Sequence, residues 1–183
     1  MTPREIEEYR ALRDTIRERG TQRVWIALAG LTAWGSLVVA TIALAPWPVA
    51  TLLPLLLLAT TFECICALHM AVERVGRYLQ VFFEDDESVR RWEHQAMAYS
   101  TAFAGRGPGG PGRADPLFAA LFGLAAVFNF IPVVVAGAVP MEYGVTGALH
   151  LVFLMRLLQA RRQADRQRAI DLERFKQLRD RPL

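Results

Sequence analysis

Residues 24–45 read VWIALAGLTAWGSLVVATIALA, 22 positions without a charged side chain. A helix needs about 20 mostly apolar residues to cross a hydrocarbon core roughly 30 Å thick. The stretch is apolar all round rather than at alternate positions, so it reads as a spanning helix and not as a barrel strand. In lipid each backbone N–H and C=O has to be bonded within its own segment, which leaves the helix as the form for such a run.

Three more blocks share this character. The second runs from about Val49 to Met70 and is interrupted by Glu63 and His69. The third, Pro116–Val139, contains Asn129 as its one strongly polar group. The fourth, from about Tyr143 to Gln159, carries His150 and Arg156. With 53% hydrophobic and 21% charged residues, a disordered chain and a fibrous repeat are excluded. The expectation is an all-α integral membrane protein: a four-helix bundle of two transmembrane hairpins with cytoplasmic helical extensions. Its segments are 1–22 (amphipathic helix), 23–71 (hairpin 1), 72–115 (helix and Gly/Pro-rich linker), 116–160 (hairpin 2) and 161–183 (basic helix).

Arginine sets the expected orientation. All 21 cations fall in Arg4–Arg23, Arg74–Arg113 and Arg156–Arg181, and Lys176 is the only lysine. The linkers Pro46–Pro48 and Pro140–Glu142 have none. The positive-inside rule puts both termini and the middle segment in the cytoplasm, as for a small bacterial protein of the cell inner membrane. Trp25 and Trp47 suit the two water interfaces. Ala43-Leu44-Ala45 fits a signal-cleavage pattern, but the charged lead of 23 residues and the apolar run of 22 are long for a cleaved signal.

The flanking segments read as helices. Thr2, Pro3 and Glu5 form an N-cap, first-turn proline and reciprocal acid. Ile6, Tyr9, Leu12 and Ile16 repeat on one stripe, and Gly20 is expected to end or bend that helix. Val72, Val75, Leu79 and Phe82 or Phe83 carry the second span past the membrane. Glu84–Glu87 reads as a solvated helix start, since the spacing of a calcium loop is absent. Residues 104–113 form a linker, followed by Asp115-Pro116 as the next helix start. The last helix runs to about Leu178, with Leu172, Phe175 and Leu178 as a packing face. Arg161, Arg162, Arg166 and Arg168 suit anionic headgroups. Nucleic acid is a poor partner, because Asp165, Asp171 and Glu173 dilute that cluster.

Polar groups inside the spans carry most information, because a lipid-facing charge costs at least about 2.5–3.5 kcal/mol. At about 1.5 Å per residue, Glu63 and Arg156 each lie roughly 22 Å from the outer surface, so an ion pair or shared network is expected. The same arithmetic pairs Asn129 with His150 in the outer half. His69 and Glu73, four apart, form an interfacial polar site, but two ligands are too few for zinc, so no metal is expected. Ala119, Gly123 and Ala126, and likewise Gly144 and Ala148, offer small faces for close helix approach. Pro54 and Pro132 are expected to kink their spans.

Cys64 and Cys66 read as small apolar side chains rather than a disulfide. No nucleophile elbow, Walker loop, zinc helix or dinucleotide fingerprint occurs, so no enzyme, catalytic residue or cofactor is expected. Two functions remain. One is a self-associating homo-oligomer that forms an ion or small-solute path. The other is a non-transporting anchor or regulatory module whose cytoplasmic helices bind a protein partner.

Overall fold

The computed structural model describes residues 1–44, 47–84, 92–103 and 117–181. Among them the chain is helical, without a strand. In order come α1 (Pro3–Leu44), a 3-10 turn (Pro48–Thr51) that leads into α2 (Leu52–Phe82), α3 (Trp92–Phe103), α4 (Ala119–Val135) and α5 (Pro140–Arg179). Three stretches are long and apolar enough to cross a membrane: Pro3–Leu44, Pro48–Phe82 and Pro140–Arg179.

The third apolar block is shorter than expected. α4 has 17 residues rather than the full Pro116–Val139, and so measures about 25 Å. Its limits have local causes. Phe118 precedes it in the left-handed region (φ 54°), which an L side chain adopts only at a cost. At the other end Gly137 takes φ 65° and donates its N–H to Val134 O, a glycine cap that stops the helix. Pro132 lies inside α4. Pro54, by contrast, is the third residue of α2. There its missing N–H falls among the first-turn donors that have no intrahelical partner, so the expected kink has no cause.

At the start of α1 the capping box forms: Thr2 N–H donates to Glu5 Oε2 (2.6 Å) and Glu5 N–H to Thr2 Oγ1 (3.3 Å). The helix does not stop at Gly20 but runs 42 residues through it. One interior glycine costs only about 1 kcal/mol, and helix on both sides carries it. α5 likewise continues to Arg179, and Val139 N–H is capped by Glu142 Oε2 (3.0 Å).

The residues divide into two compact units. One comprises Arg23–Ala67 and Leu117–Arg162, here the apolar unit. The other comprises Met1–Gln22, Leu68–Pro116 and Gln163–Leu183, the charged unit.

In the apolar unit the interior is filled by Leu58, Phe62, Ile65, Phe122 and Val133, all fully buried. Phe62 meets Phe122 and Phe153 edge-on, with centroids 5.6 and 6.2 Å apart. Three glycines differ in use. A Cβ at Gly30 would stand 2.6 Å from Thr61 Oγ1 and 2.9 Å from Thr61 Cβ, so the Thr61 side chain of α2 packs directly on the α1 backbone there. Gly123 has Leu154 and Leu157 at ordinary contact, while nothing lies within 4 Å of a Cβ at Gly144. The small face expected on α5 is therefore turned outward.

The charged unit has an aromatic centre instead. Tyr78 contacts Phe82 (4.8 Å), Phe83 (6.0 Å) and Phe175 (5.7 Å), and Tyr9 contacts Phe83 (5.8 Å). Tyr9, Leu12 and Ile16 are half-buried, as their stripe requires, whereas Ile6 and Leu178 are exposed. Leu178 therefore does not join the packing face of Leu172 and Phe175. Residues 104–116, including the expected helix start Asp115-Pro116, lie outside the described residues, as do Asp85, Asp86 and Glu87.

Candidate functional site

Two polar constellations occur in the apolar unit, and they face opposite ways. The inward one centres on Asn129, which is 1% exposed. Trp34 Nε1 is a donor only, so the Asn129 atom 3.2 Å from it is the carbonyl Oδ1. The amide Nδ2 then donates to Thr51 O (2.9 Å) and to His150 Nε2 (3.0 Å). His150 Nδ1 lies 2.7 Å from Thr146 O, which can only accept. The proton therefore sits on Nδ1, and Nε2 accepts from Asn129. Every donor and acceptor in the knot has a partner. It ties α1, the 3-10 turn, α4 and α5 together through a neutral hydrogen-bond network.

The outward one is the pair Glu63–Arg156. Arg156 Nε is 2.7 Å from Glu63 Oε1 and Nη2 is 2.8 Å from Oε2, a two-pronged contact. Arg156 Nη2 also reaches Cys66 Sγ (3.8 Å), and the guanidinium sits 5.9 Å from the Phe62 ring centre. Among the described residues the Arg156 Nη1 atom has no hydrogen-bond partner. The pair is not inside the unit: the Glu63 side chain is 50% exposed and that of Arg156 28%. Leu149, Val152, Met155 and Leu56 are exposed on the same two helices. A bidentate ion pair thus interrupts an apolar outer surface. The chain matches no protein-family model, no curated protein and no solved structure.

The other sequence-derived candidates fall in or at the edge of the charged unit. His69 is buried, and Glu73 is hydrogen-bonded to Arg168 Nε (2.6 Å). Burial by itself pushes the Glu73 carboxyl up, but the Arg168 hydrogen bond and charge outweigh it, helped by His69, and hold it below the usual carboxylate value. Arg168 is raised in turn, chiefly by that hydrogen bond. Arg168 is thus bonded to Glu73 through Nε, with a side chain 33% exposed. Arg161, Arg162 and Arg166 are exposed. Among the described residues no three His, Cys, Asp or Glu side chains converge on a metal-sized space.

The densest network escaped the sequence reading. Glu84, read as the start of a solvated acidic run, has a side chain with no exposure. It accepts from Arg13 Nη2 (3.0 Å) and from the backbone N–H of Glu93 (2.8 Å). Glu93 is held by Arg13 Nη1 (2.7 Å) and Arg77 Nη2 (3.1 Å). Arg77, 4% exposed, also bonds Gln80. Burial lowers the Arg77 pKa, opposed by Glu73 and Glu93. Gly76 leaves room for the acid: a Cβ there would be 3.1 Å from Glu93 Oε2. The one sequence signal was Gly76 beside Arg77, a small residue next to a cation on an otherwise bulky helix face.

Proposed function

We propose that this chain is a self-associating integral membrane protein, with copies meeting along the face that carries Glu63 and Arg156. An ion or small solute then passes along that seam rather than through one chain. One observation carries this reading: an ion pair whose Glu63 side chain is 50% exposed and Arg156 28%, on a surface otherwise fit for lipid. A charge left against hydrocarbon costs several kcal/mol, so such groups turn toward protein or water. The filled interior around Phe62 and Phe122 supports a seam over a path inside one copy. The arrangement is read as two hairpins, with α4 as the short fourth span. The arginine distribution supports an inner-membrane location with both termini and the middle segment in the cytoplasm.

The test combines association and flux. Fluorescence energy transfer between labelled copies in liposomes is expected to persist on lipid dilution for the native chain and to fall for Glu63→Gln and Arg156→Gln. Ion flux is expected from native liposomes and not from Glu63→Gln ones. Association without flux in either protein removes the path and leaves the assembly; dilution to monomers removes both.

A second reading is favoured by the braced charged unit, where Arg13, Arg77 and Arg168 fix three separate chain segments. Such a rigid surface suits an anchored module that docks a cytoplasmic protein. Capture of a soluble partner that is lost on deleting residues 161–183 and 1–20 supports it, and unchanged capture contradicts it.

A further inference from the structure

We propose that α3 is an interfacial helix whose Trp92–Tyr99 face lies in the headgroup layer of a phospholipid bilayer. Trp92 is 69% exposed and Tyr99 53%. They are seven residues apart, two helical turns, so they share one stripe. Ala96, small and half-buried, lies between them on that stripe.

The rotation of α3 is fixed from its other side. Glu93 lies about 100° round the helix from Trp92. It is buried and clamped between Arg13 Nη1 (2.7 Å) and Arg77 Nη2 (3.1 Å). Turning the aromatic stripe inward would pull this carboxylate out of both contacts, so the stripe stays outward.

The level of the N-terminal end of α3 follows from the same residue. The Glu93 carboxylate rests against Gly76 of α2. Gly76 is six residues past Met70, where the second apolar block ends, or roughly 9 Å further along the helix axis. A headgroup layer is about 5–8 Å thick on each side of the hydrocarbon. Trp92, next to Glu93, is thus within a side chain's length of that layer. Indole and phenol rings have an apolar body and one polar handle, the chemistry that concentrates Trp and Tyr at this depth. The inference rests on the chain spanning a bilayer and not on self-association.

The test uses the full chain in phosphatidylcholine–phosphatidylglycerol liposomes. The lipids carry a nitroxide either at the headgroup or near the acyl terminus. The Trp92 signal is the emission of the native chain minus that of Trp92→Phe. Quenching is expected to be at least about twofold stronger with the headgroup label than with the deep label, with little effect of aqueous iodide. Strong iodide quenching with no effect of either lipid label overturns the proposal, because the face then points to water. Quenching by none of the three also overturns it, because protein then covers the face. The double variant Trp92→Phe/Tyr99→Trp reads the same stripe two turns on and is expected to give the same order. Energy transfer between copies, measured in the same liposomes, is expected to be unchanged by Trp92→Phe, which separates this outcome from the association reading.

Discussion

Asn129 in the apolar unit and Glu93 in the charged unit do the same job with different chemistry. Each is buried, and each joins separate chain segments. Asn129 does so with three hydrogen bonds between neutral groups, Glu93 with two guanidinium groups. Removing charge from water is expensive, so an apolar surrounding favours neutral partners whose valences are all filled. The charged unit uses arginine instead: Arg13 keeps a side chain 24% exposed, while Arg77, 4% exposed, is balanced by the Glu93 carboxylate. Glu63–Arg156 breaks this division. It is ionic, it sits among apolar residues, and it faces out, which is why it carries the functional proposal.

The contrast breaks hardest at the charged unit. Arg77→Met keeps the stem but leaves Glu93 with Arg13 alone. Unpairing a buried ion costs about 3–5 kcal/mol, so the largest loss in unfolding free energy is expected here. Hydrogen exchange of α3 amides should rise with it, while amides of the α1–α2 contact at Gly30 stay protected.

Next comes the α1–α2 contact. Gly30→Val drives two methyl groups into Thr61, at an expected cost of about 1–3 kcal/mol. It should lower the thermal midpoint in detergent, and Thr61→Gly in the same chain should restore part of it. A midpoint equal to the native one would show that the helices do not approach so closely.

Asn129→Leu ranks third. It strands the Trp34 N–H, the Thr51 carbonyl and His150 Nε2, and bonds of this kind in membranes average about 0.6 kcal/mol each, so about 1–2 kcal/mol is expected. The Trp34 emission spectrum should shift as its acceptor goes. The comparison sharpens if this variant loosens the apolar unit and leaves the Arg13–Glu84 region untouched.

The smallest effect concerns Glu73–Arg168, with side chains 21% and 33% exposed. Pairs this accessible contribute about 1 kcal/mol or less. The Glu73 pKa is lowered in the folded chain. Its contribution is therefore complete above the unfolded carboxylate value of about 4.3 and is lost as pH falls through the lower folded value. Native and Glu73→Gln chains should differ in thermal midpoint at neutral pH and converge in acid. A difference that grows in acid would contradict the assignment.

Much of the fold was legible because lipid imposes a simple rule. Long charge-free runs such as residues 24–45 have only the helix open to them, and the Thr2–Glu5 cap is a local pattern. Depth arithmetic brought Glu63 to Arg156 and Asn129 to His150 because helical rise is constant. What could not be read depends on rotation and crossing. Nothing local marks Gly30 as the contact glycine and Gly144 as open. Trp34 and Thr51 joined Asn129 only through tertiary packing. Glu84 looked solvated because four acids in a row are, on average, solvated; its burial depends on Arg13, 71 residues away. The outward direction of Glu63–Arg156 was equally invisible, since depth fixes height and not azimuth.

Cys64 is exposed and adjoins Glu63, whereas Cys66 is buried. This makes the native chain its own reporter. A short bifunctional maleimide applied to membranes containing the protein is expected to link copies through Cys64. The linked species should be absent from Cys64→Ser, kept in Cys66→Ala and sharply reduced in Glu63→Gln. A native chain that stays unlinked at every protein-to-lipid ratio, although a monofunctional maleimide labels Cys64, would contradict the meeting face at Glu63 and Arg156.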